Sequence, residues 1–292
     1  MRQLQGHECS VRALAYAPDG RLLVSGDDGG RVGLWSLPAG ELLQFSDVGH
    51  GSIEALGLSP RGEFLAIAMP DAVFWLDVGR SLQNEDAEVV GVSQESGTRA
   101  LAWHPVENLL VTGGWGARVH FWTSTAAQRR DPLPFPAPIT ALTFSADGKS
   151  LALVGTSGLV RVLDAASWRP RWQTKQPRGS YALACSRGNL LATGETNGDI
   201  LLWNLQDGAR AHQLSGHTWT IYGLAFTPDG EHLVSGSADG TVRLWDTTTG
   251  RERETFRWHS KWVTSVAISP DGMTAAAASA DATIVVWDLA DA

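Results

Sequence analysis

Gly240-Thr241-Val242-Arg243-Leu244-Trp245-Asp246 alternates apolar and polar side chains, as a strand beside a core does, and closes on a Trp-Asp pair. Equivalent segments end at Trp35, Leu76, Trp122, Leu163, Trp203, Trp245 and Trp287, so the pattern recurs every 40 to 46 residues. Self-similarity at that period, carried by short alternating segments, marks a propeller whose blades are four-stranded sheets. Seven registers predict an all-β, closed, seven-bladed propeller with four antiparallel strands per blade.

The sixth repeat shows how a blade is built. Residues 221–227 alternate as an inner strand, and Pro228-Asp229-Gly230 supplies a turn with its fixed-φ and positive-φ residues. A second strand follows at 232–236, a turn at 237–240, the third strand at 241–246 and an outer strand near 251–256. Comparable turns stand at Pro18-Asp19-Gly20, Pro60-Arg61-Gly62, Ala146-Asp147-Gly148 and Pro270-Asp271-Gly272. The register divides residues 1–292, as one domain, into blades at about 11–47, 52–94, 97–136, 138–175, 179–214, 219–256 and 261–290. That last blade lacks its outer strand. Residues 2–5 stand where every other repeat has one, so they are expected to pair with 283–288 and close the ring, removing the open edges.

Two stretches depart from the repeat. Pro132, Pro134, Pro136 and Pro138 alternate through the expected outer strand of blade 3, where an edge strand tolerates missing donors; a proline-rich ligand for another domain is the alternative. The extra length at 81–96, with Glu85, Asp86 and Glu88, is expected to be a solvated loop.

Gly216-His217 before an inner strand and Trp245-Asp246 closing a third strand resemble the WD40-repeat family, over essentially the whole chain. The resemblance implies that His217, Ser235, Asp239 and Trp245 form a buried, hydrogen-bonded structural tetrad, although a search by residue type would flag a nucleophilic triad. Repeat 1 has His7, Ser25 and Trp35 but Gly29 in the aspartate position; repeat 7 has His259, Asp281 and Trp287 but Ala277 for the serine. Repeats 2 and 4 carry Leu76 and Leu163 for the tryptophan, and repeats 3, 4 and 5 lack the histidine, so packing should hold those blades more than polar fastening.

Composition narrows the function. The net charge is −8 with scattered basic residues, which gives no footprint for nucleic acid. No apolar run approaches the roughly 18 residues of a membrane span, and no leader precedes the first repeat, so a cytoplasmic protein without membrane partners is expected. Cys9 and Cys185 fall in different blades, which disfavours a disulfide. Arginine-biased basic residues with abundant Ala and Gly fit a GC-rich, bacterial genome. The histidines show no metal-ligand spacing and no phosphate loop occurs, so no metal or cofactor is expected.

What remains is the face formed by loops entering the inner strands and by turns between second and third strands. There the register places Arg12, Arg99, Trp115, Tyr181, Trp219, Tyr222 and Trp262. Aromatic residues and arginine dominate binding hot spots, so this top face is the expected surface for a protein or peptide partner of a monomeric, non-enzymatic scaffold. The alternative, a small-molecule-binding or hydrolytic propeller using the central channel, needs convergent acids or histidines. The inner strands offer Glu54 as their only carboxylate, too little for acid–base chemistry.

Overall fold

The computed structural model describes residues 1–37, 39–49, 51–81, 89–93, 97–124 and 126–291. Among them stand seven four-stranded antiparallel sheets. In blade 1 the strands run Val11–Tyr16, Leu22–Asp27, Arg31–Ser36 and Glu41–Asp47, in that spatial order. Blades 2 to 6 repeat it from inner strands Ala55–Leu58, Thr98–Trp103, Ile139–Phe144, Ser180–Cys185 and Ile221–Phe226. The chain is an all-β, seven-bladed propeller.

The turns form for local reasons. In Pro228-Asp229-Gly230, Gly230 takes φ +77 and donates its N–H to the Thr227 carbonyl at 2.8 Å, while the Asp229 carboxylate accepts from Glu231 N at 2.9 Å. Pro18-Asp19-Gly20 does the same, with Gly20 at φ +70 and Asp19 accepting from Arg21 N at 2.9 Å. Positive φ is open to glycine without steric penalty, so each hairpin reverses at a set point.

Both faces of each sheet are apolar, and the core is divided accordingly. Seven apolar clusters lie among the described residues, each between two adjacent blades. Val24 and Leu34 of blade 1 meet Leu65 and Ile67 of blade 2; Leu23 and Trp35, from the same two strands of blade 1, meet Ala276 and Ile284 of blade 7. Strands covered on both faces need near-continuous apolar runs, as in Phe64–Ala68, whose residues 65–68 are all buried.

Closure comes from the N-terminal strand Arg2–Leu4, which joins Val263–Ile268, Thr274–Ser279 and Ile284–Asp288 as their fourth strand. Arg2 pairs with Val286 and Leu4 with Ile284, and the Leu4 side chain is buried in the cluster shared by blades 7 and 1.

Blade 3 corrects the proline expectation. Its outer strand is only Leu133–Pro134, opposite Arg118 and Val119. Prolines cannot sustain a ladder, and Phe135 turns inward into the core between exposed Pro134 and Pro136. Trp168, from a turn of blade 4 at φ +59, covers Phe121 with ring centroids 4.6 Å apart. Glu85, Asp86 and Glu88 lie outside the described residues. No helix among the described residues is long and apolar enough to cross a membrane. Burial pushes the Cys185 thiol up to about 12, so it stays protonated and inert.

The closing strand can be tested by itself. Leu4→Ala should lower the unfolding free energy by about 2–5 kcal/mol through the cavity left in the shared cluster, measured by denaturant titration. A loss below about 0.5 kcal/mol, the scale of an ordinary surface change, would mean that the strand is not docked.

Candidate interaction face

His217, Ser235, Asp239 and Trp245 come together as one chain of hydrogen bonds. Trp245 Nε1–H donates to Ser235 Oγ at 2.8 Å, Ser235 Oγ meets His217 Nε2 at 2.8 Å, and His217 Nδ1 meets Asp239 Oδ2 at 2.8 Å. Burial, with Arg243 nearby, holds His217 below its ordinary pKa even though Asp239 opposes this. The imidazole is therefore neutral, its Nδ1–H donated to Asp239 and its Nε2 free to accept from serine. Burial opposes ionisation of Asp239, but the bonds from His217 and Thr241 hold its carboxyl well below the usual range. Ser235 is fully buried and its oxygen is committed on both sides, so this serine has no access to a substrate.

Other blades reach the same end with different residues, which corrects two expectations. Repeat 1 does not lack its carboxylate. Asp27, two positions before Gly29, is fully buried and takes His7 Nδ1 at 2.6 Å, while His7 Nε2 and Trp35 Nε1 both bond Ser25 Oγ. Nor does packing alone hold blades 3 and 5. Trp203 Nε1 donates to Thr193 Oγ1, which donates to Gln176 Oε1 at 2.9 Å, so Gln176 stands in for histidine; in blade 3 Trp122 donates to Thr112 Oγ1 at 2.9 Å. Blade 7 keeps the gap read from its Ala277. His259 Nε2 and Trp287 Nε1 are buried without a partner, and His259 Nδ1 stands 3.2 Å from Asp281.

The inner strands build the mouth of the central channel. In six blades the pairing of the inner strand with the second shifts register at its second residue, at Arg12, Arg99, Thr140, Tyr181, Tyr222 and Thr264. A bulge re-aims the extra side chain, and all six line the mouth together with Glu54 at the start of blade 2. The fold uses two of the seven. Thr140 donates to the Ser180 carbonyl and Thr264 to the Val11 carbonyl, each latching its blade to the next.

The other five divide into two arcs. Over blades 1 to 3, Arg12 Nε bonds Asp28 at 2.5 Å, Asp28 also takes Ser52 Oγ at 2.8 Å, and Arg99 lies 3.5 Å from Glu54. Arg99 keeps its buried Nε without an acceptor. Over blades 5 to 7, Tyr181 and Tyr222 meet edge to face at 6.0 Å and Tyr222 stacks with Trp262 at 6.2 Å. Arg99 joins the arcs, its guanidinium 5.8 Å from the Tyr181 ring and 5.5 Å from Trp115. So Arg99 adjoins the aromatic patch and connects Trp115 to it. Burial raises the Tyr222 pKa, so its hydroxyl keeps its proton and remains a donor.

The mouth, about 300 Å³, opens into a groove of about 760 Å³ over blades 6, 7 and 1; Arg12, Trp262 and Thr264 line both. Trp219 stands on the groove wall apart from the Tyr181–Tyr222–Trp262 stack. Trp219, Trp262 and Trp115 are 59%, 47% and 52% exposed, against 1% for Trp35 and Trp245. Register alone locates these residues on the face. It does not reveal which rings touch, or that the collar threonines are latches. Among the described residues one group has metal-ligand spacing, Asp229, Glu231 and His232 on the opposite face, but Asp229 is bound into its turn and His232 contacts Arg253.

Comparison with known proteins adds the lineage. The family model described as WD domain, G-beta repeat, matches residues 1–36, 90–123, 208–246 and 250–288, together just over half of the chain. The periodic tryptophan protein 2 homolog of Dictyostelium discoideum is 23% identical over 76% of this chain and 25% of its own length. WD repeat-containing protein 1 of Gallus gallus is 25% identical over 80% and 38%. An uncharacterized WD repeat-containing protein of Synechocystis sp. is 35% identical over 33% and 28%. The chain spans about a quarter to a half of the length of the curated relatives it matches first.

Two predictions follow from the polar chains. Ala277→Ser should stabilise the protein by about 1 kcal/mol by giving Trp287 and His259 a shared hydroxyl; an unchanged or lower melting temperature would contradict it. Burial holds His7, His217 and His259 below their ordinary value of 6.5. The unfolded chain therefore binds more protons below about pH 6.5, so stability is full above that pH and falls beneath it. His217→Gln, the solution used at Gln176, should shallow the slope of melting temperature between pH 6.5 and 5.

Proposed function

The chain belongs to the WD40-repeat family, and we propose that it is a non-enzymatic interaction platform that holds a protein or peptide partner across the channel mouth and the adjoining groove. WD-repeat relatives are typically protein-interaction scaffolds. The observation that carries the proposal is the Tyr181–Tyr222–Trp262 stack. Large aromatic side chains half-open to water, stacked on one another beside a groove and unused by the scaffold, are the side chains from which binding hot spots are made. None of the three rings belongs to the apolar clusters that join adjacent blades.

Catalysis finds little support in the same surface. Glu54, the only carboxylate lining the mouth among the described residues, lies against Arg99. The histidine, serine and aspartate of blade 6 are spent on holding Trp245. General acid–base work needs a titrating group within reach of a substrate, and here the candidates are ion-paired or buried.

The test is capture of binding proteins from the native cell extract by the double variant Tyr222→Ala, Trp262→Ala. Each truncation should weaken capture by about 1–2 kcal/mol, roughly 5- to 30-fold, with the melting temperature nearly unchanged. Met273→Ala on the opposite face, where Met273 is also exposed, should leave capture unaltered. Equal capture by a folded double variant would overturn the assignment of this face.

A further inference from the structure

Hydrogen-bond supply on the proposed face is one-sided. Its carboxylates are engaged: Asp28 receives Arg12 and Ser52, Asp239 receives His217, Thr218 N and Thr241, and Glu54 faces Arg99. Its aromatic donors are not. Among the described residues, neither the Tyr181 and Tyr222 hydroxyls nor the Trp219 and Trp262 indole N–H groups have a hydrogen-bond partner, and the Arg99 Nε–H is buried without one. The residues that carry the four aromatic donors line two connected hollows.

We propose that the segment seated there is proline-rich and held in the polyproline II conformation, an inference that rests on the docking face argued above. Proline offers a carbonyl acceptor and no N–H, so a run of prolines is an excess of acceptors without competing donors. Its backbone makes no internal hydrogen bonds in that conformation, which leaves every carbonyl available, and the conformation is largely preformed, so little ordering entropy is lost on docking. Pyrrolidine rings supply the apolar surface that indole and phenol faces cover.

Charge removes the competing chemistries. An acidic segment brings the same acceptors, but it meets Glu54 at the mouth, Asp28 and Asp239 in the groove, and a chain of net charge −8. A basic segment meets Arg12 and Arg99 at the mouth and Lys261 on the groove wall. A neutral ligand rich in acceptors avoids both penalties.

Fluorescence anisotropy on the full chain tests this with three labelled decapeptides: decaproline, a Gly-Ser repeat and an Asp-Ala repeat. Decaproline is expected to bind at least about tenfold more tightly than either control. Trp262→Ala should weaken it by about tenfold or more. Tyr222→Phe, which keeps the ring and removes only the donor, should weaken it by about fivefold, the worth of one hydrogen bond. Decaproline binding no tighter than the Gly-Ser peptide, or unchanged by either substitution, would overturn the inference. A random displayed-peptide library selected on the same protein tells the two levels apart. Proline-poor winners that lose binding to Trp262→Ala would overturn the proline inference and leave the docking face standing; winners indifferent to Trp262→Ala would overturn both.

Discussion

Every blade of this protein is a sheet with two apolar faces, and such a sheet cannot stand in water alone. Each face must be covered by a neighbour, which needs covering in its turn. The only arrangement that ends the series without leaving a bare face is a ring, and the cluster joining Leu23 and Trp35 of blade 1 to Ala276 and Ile284 of blade 7 is where it ends. The Arg2–Leu4 strand fixes that junction as well, because it is hydrogen-bonded into the sheet of blade 7 and continues along the chain into the inner strand of blade 1. Stability is thus spread over a circle of similar interfaces, and no single blade has to match the family pattern closely.

That tolerance is visible in the polar chains that tie each tryptophan to the strand beside it. Blade 6 uses His217, Ser235 and Asp239; blade 1 replaces the turn aspartate by Asp27; blade 5 uses Thr193 and Gln176; blade 7 leaves two buried nitrogens unpaired. The period and the turn chemistry made the seven blades legible from sequence, because a Pro-Asp-Gly turn and an alternating strand are local features that repeat. The substitutions were not legible. Asp27 lies two residues from the position at which a carboxylate is sought, and only three-dimensional proximity to His7 shows that it serves. Gln176 has neither the charge nor the ring of histidine, yet an amide both donates and accepts, and so it completes the same chain.

The inner strands carry the passage from scaffold to site. In six of the seven blades a bulge at the second residue frees one side chain from the packing rules and turns it to the channel mouth. Position on that face could be read from register, whereas the stack of Tyr181, Tyr222 and Trp262 and the reach of Arg99 to Tyr181 depend on side-chain directions between blades, which no single repeat encodes. The same residue type serves both purposes. Trp35, Trp122, Trp203 and Trp245 give their indole N–H to a buried hydroxyl, while Trp219 and Trp262 line the groove as exposed rings.

This division of the tryptophans between holding the ring and facing a partner is the central claim, and indole N–H exchange measured by NMR on nitrogen-15-labelled protein tests it most directly. The indole protons of Trp35, Trp122, Trp203 and Trp245 should persist far longer in heavy water than those of Trp219 and Trp262, which should vanish at once. Equal protection at all six, or slow exchange at Trp219 and Trp262 in the free protein, would contradict it.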